Sequence, residues 1–193
     1  MNEVSKHSKW LPIYLSLLST ALMALVLSLD GRLWWWCKLG DGRIYVNQAW
    51  GSSHTSQHLF DPYTFTHVLH GVLFFWIAGW LFERLDNRWR FLIATIAEAG
   101  WELLENSNYV IQHYRENTAS LDYFGDSVAN SVGDVLACSA GFWIAVRIGW
   151  VRSLVFFLFV EAALLFFIRD SLLLNIVMLI YPLEWVKAWQ TAA

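Results

Sequence analysis

The run Thr64-Phe65-Thr66-His67-Val68-Leu69-His70-Gly71-Val72-Leu73-Phe74-Phe75-Trp76-Ile77-Ala78-Gly79-Trp80-Leu81-Phe82 contains no Asp, Glu, Lys or Arg. A bilayer core about 30 Å thick needs about 20 apolar residues of helix to cross it, and this stretch is that long. Only His67 and His70 interrupt it, three residues apart and therefore on one helical face. The whole chain has the same character. It is 57% hydrophobic, 17% aromatic and 15% charged, with a mean hydropathy of +0.42, whereas an average soluble domain is about 25% charged. The expected fold is all-α, a polytopic transmembrane helix bundle.

Working outward, hydropathy marks further spans near 10–29, 91–111, 127–146, 153–168 and 171–186, about six in all, or five if the last two form one helix. Residues 1–193 then make a single integral membrane domain with a long loop at 30–63. The first span has Lys6 and Lys9 ahead of it like a signal peptide. Its apolar run is longer than such a segment needs, and Ser28-Leu29-Asp30 is a poor cleavage site, so it reads as an anchor. Lys6, Lys9, Arg84, Arg88, Arg90, Arg147 and Arg152 all fall in the loops on one side, which the positive-inside rule makes cytoplasmic. The N-terminus is expected in the cytoplasm, and loop 30–63 outside despite Arg32, Lys38 and Arg43. A six-span count also returns the C-terminus and Lys187 to the cytoplasm; merging the last two spans would leave it outside. Trp34, Trp35, Trp36 and Trp50 at the outer boundary, and Trp89, Trp150, Trp185 and Trp189 at the inner one, read as an interfacial aromatic belt. A net charge of −3 with no basic run gives no sign of nucleic acid as a partner. Cys37 and Cys138 make no disulfide framework.

The functional clue is a set of ionisable residues inside or at one end of these spans: His67, His70, Glu98, Glu102, Glu105, Asp122, Asp126, Asp134, Glu161 and Asp170. A carboxylate at the bilayer centre costs roughly 3 kcal/mol on insertion scales, so several together must face one another, a cation or water. Glu98, Glu102 and Glu105 share one helical face, as do Asp126, Asn130 and Asp134. A rise of about 1.5 Å per residue puts His70, Glu102 and Asn130 at similar depth. The stripes should converge. Imidazoles with carboxylates suit zinc, iron or manganese; carboxylates alone suit calcium or magnesium. The bland alternative is an interhelical network of shared protons, with Arg115 and Arg169 neutralising part of the charge. There is no HExxH, no Glu-x-x-His repeat and no nucleophile elbow, and His54-x-x-x-His58 falls short of a histidine box.

Two resemblances are carried by ordered motifs. Ser56-Gln57-His58, Asp61-Pro62-Tyr63-Thr64, His67-Val68-Leu69-His70-Gly71, Glu98-Ala99-Gly100-Trp101-Glu102-Leu103-Leu104-Glu105-Asn106, Leu121-Asp122-Tyr123-Phe124-Gly125-Asp126-Ser127, Asn130-Ser131, Arg169-Asp170 and Tyr181-Pro182-Leu183-Glu184 resemble the bacterial family catalogued as domain of unknown function 2585, or uncharacterised protein family 0314, over about residues 30 to 190. That resemblance implies a multi-pass plasma-membrane protein and carries no activity over. Glu105, Arg115, Asp122, Asp126, Asn130 and Gly133 are more loosely similar to the VanZ-like membrane proteins, implying a related helix arrangement with an outward-facing polar site.

The leading expectation is a metal-dependent enzyme acting on a lipid or envelope precursor, with membrane lipid as its surroundings and source of substrate. His67, His70, Glu102 and Asp126 would hold the divalent metal (zinc, iron or manganese). Glu98 or Asp134 would be the catalytic base, and Arg115, Arg169, Asn130 and Glu105 would bind substrate. The alternatives are a cation or proton transporter and a non-catalytic assembly or regulatory membrane protein.

Overall fold

Helix follows apolarity in most of the chain, and capping residues set where each helix begins. In the computed structural model, which describes residues 3–34, 37, 39–49 and 51–192, the described residues form seven helices and no strand beyond one isolated bridge between Tyr45 and Phe60. These are α1 Glu3–Leu29, α2 Thr64–Leu81, α3 Asn87–Glu105, α4 Asn108–Asn117, α5 Val128–Ile168, α6 Leu172–Ile180 and α7 Glu184–Thr191. Asp86 starts α3 by accepting from the Arg88 and Trp89 amides, and Ser127 starts α5 by accepting from the Asn130 amide, each satisfying amides that have no partner within the helix.

α5 cannot be one straight rod. Its 41 residues would span about 60 Å, yet both its ends meet the segment before α2. The Ser127 amide donates to the Ser56 carbonyl at 2.9 Å, and Tyr63 donates from its hydroxyl to Asp170 at 3.0 Å. The reversal lies at Gly149, with φ 76° and ψ 176°, a backbone state that glycine adopts without strain. Arm 128–148 and arm 150–168 both run along α2. Gly71 abuts Cys138, Phe75 meets Phe142 edge to face, and Trp76 stacks on Trp150 and donates to Ser153.

Five segments therefore lie side by side between two ends: α1, α2, α3 and the two arms of α5. One end carries Lys9, Arg84, Arg88, Arg90, Arg147 and Arg152; the other carries the loops. At the arginine end the Arg88 guanidinium covers Trp10. Toward the loop end Met23 and Leu27 of α1 pack on Ala99 and Val128. α1, α2 and α5 are long and apolar enough to cross a membrane. Leu18, Leu22 and Leu25 of α1 and Val155, Phe159, Phe166 and Phe167 of α5 are exposed, an apolar surface that suits lipid. Trp10, Trp34, Trp150, Trp185 and Trp189 are exposed as well, whereas Trp35, Trp36, Lys38 and Trp50 lie outside the described residues.

The last stretch departs from the expectation. Residues 171–186 are not one helix but α6, nine residues long, and the start of α7, eight residues long. Neither reaches half of the about 30 Å of a bilayer core. Pro182, which lacks an amide proton, stands in the break. The merged alternative fails too, because Arg169 adopts a left-handed conformation, φ 52°, that ends α5. Ser171 then caps α6, and the mid-arm carboxylate of Glu161 accepts from the Leu172 and Leu173 amides. The polypeptide thus closes at the loop end, where Arg169 donates to the Trp189 carbonyl and Lys187 to the Glu116 carbonyl. Lys187, Trp185 and Trp189 sit opposite the N-terminal arginine end, not beside it.

The buried Asp170 corner gives a pH test. Burial pushes the Asp170 carboxyl from its ordinary 3.8 up to about 7, against the lowering pull of hydrogen bonds from Ser171, Tyr63 and Asn175. The folded protein then holds a proton that the unfolded chain releases. Its contribution to stability is full below about pH 4 and is lost as pH rises through about 7, at up to roughly 1.4 kcal/mol per pH unit. Asp170→Asn should flatten that slope in thermal unfolding of detergent-solubilised protein; an unchanged slope would assign it to other groups.

Candidate functional site

α2, α3 and the first arm of α5 each present one polar stripe to the same interior, so the carboxylates and imidazoles meet. His67 Nδ1 lies 2.6 Å from Glu98 Oε1, and His70 Nδ1 lies 2.9 Å from Glu98 Oε2. With Glu98 ionised, both rings donate from Nδ1, and in the neutral ring each Nε2 keeps its lone pair. One carboxylate thus fixes two imidazoles, the arrangement used to orient metal-binding histidines. Around His67 stand Glu102 at 3.5 Å and, facing Nε2, Asp134 at 3.8 Å.

Glu98 and Glu102 are both 0% exposed. Neither oxygen of Glu102, nor Oδ1 of Asp134, has a hydrogen-bond partner. A buried carboxylate without donors is costly unless a proton or a cation supplies the missing interaction. His67, His70 and Glu98 offer ligand atoms all within 4.8 Å of one another, as do His67, Glu102 and Glu105.

Part of this cluster faces a cavity of about 580 Å³, with Glu98 and Glu102 buried outside its lining. His67, His70, Glu105, Asp126 and Asp134 line it with Thr55, Ser56, Tyr63, Tyr114 and Tyr123. Much of the remaining lining is apolar: Leu73, Phe74, Trp101 and Leu104, with Leu172, Ile176, Leu179 and Ile180 from α6. No Lys or Arg is among the described lining residues.

Asp126 plays a different part from the ligand role expected of it. Its oxygens accept from Asn106 Nδ2 at 2.7 Å and from the Tyr123 hydroxyl at 3.0 Å, and its amide donates to Asn106 Oδ1. It clamps the end of α3 to the entry of α5. Three expected substrate contacts do not reach the cavity. Asn130 donates to the His58 carbonyl at 2.8 Å. The Arg115 guanidinium lies 4.8 Å over the Phe124 ring and donates to the Leu121 carbonyl. Arg169 is held at Trp189. The charge of the two arginines suggested anion binding, but local carbonyls and rings occupy them.

Sequence reasoning missed Arg32, which donates to the carbonyls of Phe124 and Asn106 and joins the first loop to the site's rim. It also missed Tyr63, Tyr114, Tyr123 and Trp101 as cavity residues. A lone basic residue in a loop and scattered aromatics carry no periodic signal.

Residues 27–192 match the family described as protein of unknown function (DUF2585). The chain belongs to this family. Uncharacterised family 0314 proteins are similar over nearly the whole length. That of Brucella anthropi is 40% identical over 171 residues, 89% of this chain and 86% of its own. That of Paracoccus denitrificans is 45% identical over 157 residues, 81% and 80%. That of Rhizobium meliloti is 42% identical over 181 residues, 94% and 90%. No solved structure matches.

Proposed function

We propose that this DUF2585 protein is a metal-dependent hydrolase or transferase of the bacterial inner membrane, acting on a lipid or lipid-linked envelope precursor. The observation that carries the reading is the pairing of donorless buried carboxylates with two oriented imidazoles on the wall of a half-apolar cavity. His67, Glu102 and Glu105, whose ligand atoms lie within 4.8 Å of one another, would hold the divalent ion with His70 beside them, and its charge would supply Lewis-acid polarisation of a phosphoryl or ester oxygen. Glu98 positions the two rings. Asp134, with Oδ1 free of hydrogen bonds, takes a proton from the attacking group. Acyl chains have room along Leu73, Phe74 and the α6 side chains. With no Lys or Arg in the lining, an anionic head group needs the cation for its charge balance.

Metal analysis of detergent-purified protein tests this directly. Wild type should carry one more equivalent of zinc, iron or manganese than a His67→Asn/His70→Asn variant of equal thermal stability. Equal metal content in the two proteins would refute the assignment. Wild type should also convert a component of an inner-membrane lipid extract in a chelator-sensitive manner.

Orientation is part of the same reading. Reporter fusions at Asn87 and Gly149, at the arginine end, are expected to report cytoplasm, and fusions at Asn47 and Asn117 periplasm. Reversal at both pairs would turn the cavity to the cytoplasmic side.

A further inference from the structure

Loop 30–63 holds a second group of ligating side chains, apart from the cavity. Cys37, Asp41, His54 and His58 each offer one donor atom, all within 4.8 Å of one another. The Cys37 thiol lies 3.2 Å from Asp41 Oδ1. His58 Nε2 lies 3.1 Å from His54 Nδ1 and 3.4 Å from Asp41 Oδ1, and His54 Nδ1 lies 3.7 Å from Asp41 Oδ2. Bond lengths of about 2.0 Å to nitrogen or oxygen and about 2.3 Å to sulfur give a zinc tetrahedron with ligand-to-ligand edges of about 3.3 to 3.6 Å. The four separations given, 3.1 to 3.7 Å, bracket those edges, and the thiol lies within 4.8 Å of both imidazoles.

The proton positions point the same way. His58 is fully buried, and its Nδ1 lies 2.7 Å from the Arg43 carbonyl. A carbonyl only accepts, so Nδ1 carries the proton and Nε2 of the neutral ring presents a lone pair into the cluster. That carbonyl contact is the usual second partner of a metal-bound histidine. Both cysteines are free thiols, so Cys37 remains available. Thiolate, two imidazoles and a carboxylate form a closed four-donor set of the softness zinc prefers.

We propose that Cys37, Asp41, His54 and His58 form a structural zinc site that staples the two halves of loop 30–63 together. The site's purpose follows from what the second half touches. The Ser56 carbonyl accepts from the Ser127 amide, Gln57 donates to the Gly125 carbonyl, and the His58 carbonyl accepts from Asn130. The Leu59 carbonyl rests against Gly133, where any Cβ would come within 2.1 Å of it. Thr55 and Ser56 belong to the cavity wall. Zinc in the loop therefore fixes the lid of the cavity, whether or not the cavity itself binds a metal.

Cobalt substitution of the full-length protein in detergent under reducing conditions tests the proposal. Cobalt at this site has a thiolate ligand and should show a near-ultraviolet thiolate-to-metal charge-transfer band, saturating at one equivalent. The band should vanish in Cys37→Ser and persist in Cys138→Ser and in Glu102→Gln, which leave the loop untouched. Chelation should also expose loop 30–63 to limited proteolysis. No band in cobalt-loaded wild type overturns the proposal without recourse to any variant. A band that follows Cys138 in place of Cys37 overturns it equally. The band in a wild-type protein that binds no metal beyond the loop equivalent would refute the proposed function alone.

Discussion

Gly141→Ala and Gly71→Ala should each destabilise the protein by roughly 3 kcal/mol or more, at or beyond the upper end of ordinary overpacking. At Gly141 a Cβ would lie 1.9 Å from the Val68 carbonyl oxygen, and at Gly71 it would lie 2.0 Å from the Cys138 carbonyl oxygen. The contacts are reciprocal, backbone against backbone, so no flexible side chain can move aside. In lipid the helices gain little from hydrophobic transfer, and close approach through small residues supplies the dispersion energy that joins them. The same crossing sets the site, because His67 and His70 lie on α2 within four residues of Val68 and Gly71, and Asp134 and Cys138 lie on α5. Gly100→Ala is the control. It is also helical, a Cβ there meets nothing within 4 Å, and helix propensity alone should leave it neutral or up to about 1 kcal/mol more stable. Thermal unfolding in detergent reads all three; a Gly141→Ala protein as stable as wild type would mean the two helices are not in backbone contact.

How much of this was legible beforehand depended on whether a residue's role was periodic. The stripes of α2, α3 and α5 were readable because a lipid-crossing helix must hide ionisable groups on one face, and His67, His70, Glu98, Glu102 and Asp134 do meet. The bend at Gly149 was readable from Arg147 and Arg152, which mark a return to the interface. Hydropathy failed at 171–186, since it sums apolarity and ignores the missing amide of Pro182. Charge failed for Arg115, Arg169 and Asp126, whose partners are nearby carbonyls, rings and amides that no spacing rule records. The loop was hardest. Cys37-x-x-x-Asp41 and His54-x-x-x-His58 are two pairs of equal spacing, but only folding brings one pair to the other.

Glu102→Gln should cost the cavity its metal while leaving the fold intact. The glutamine keeps the size of the side chain and one oxygen acceptor, and removes only the charge. In wild type both Glu102 oxygens are buried without a donor, 3.5 Å from His67 at the nearest. Losing a charged ligand should weaken the metal by about 100-fold or more, since even second-shell losses reach 10- to 100-fold. At a metal concentration near 100 times the wild-type Kd, binding stabilises wild type by about 2.7 kcal/mol, and a 100-fold weaker variant keeps only about 0.4 of that. The difference, about 2 kcal/mol, appears as a metal-dependent shift in thermal unfolding that wild type shows and the variant lacks. In chelator the order should reverse or vanish. Without a cation, Glu102 is one more carboxylate among Glu98, Glu105 and Asp134, and neutralising it relieves repulsion. A purely structural network makes the opposite forecast, with no metal-dependent shift in either protein and equal metal content. That result would remove Glu102 from any ligand set and leave the cavity as a proton-sharing interior.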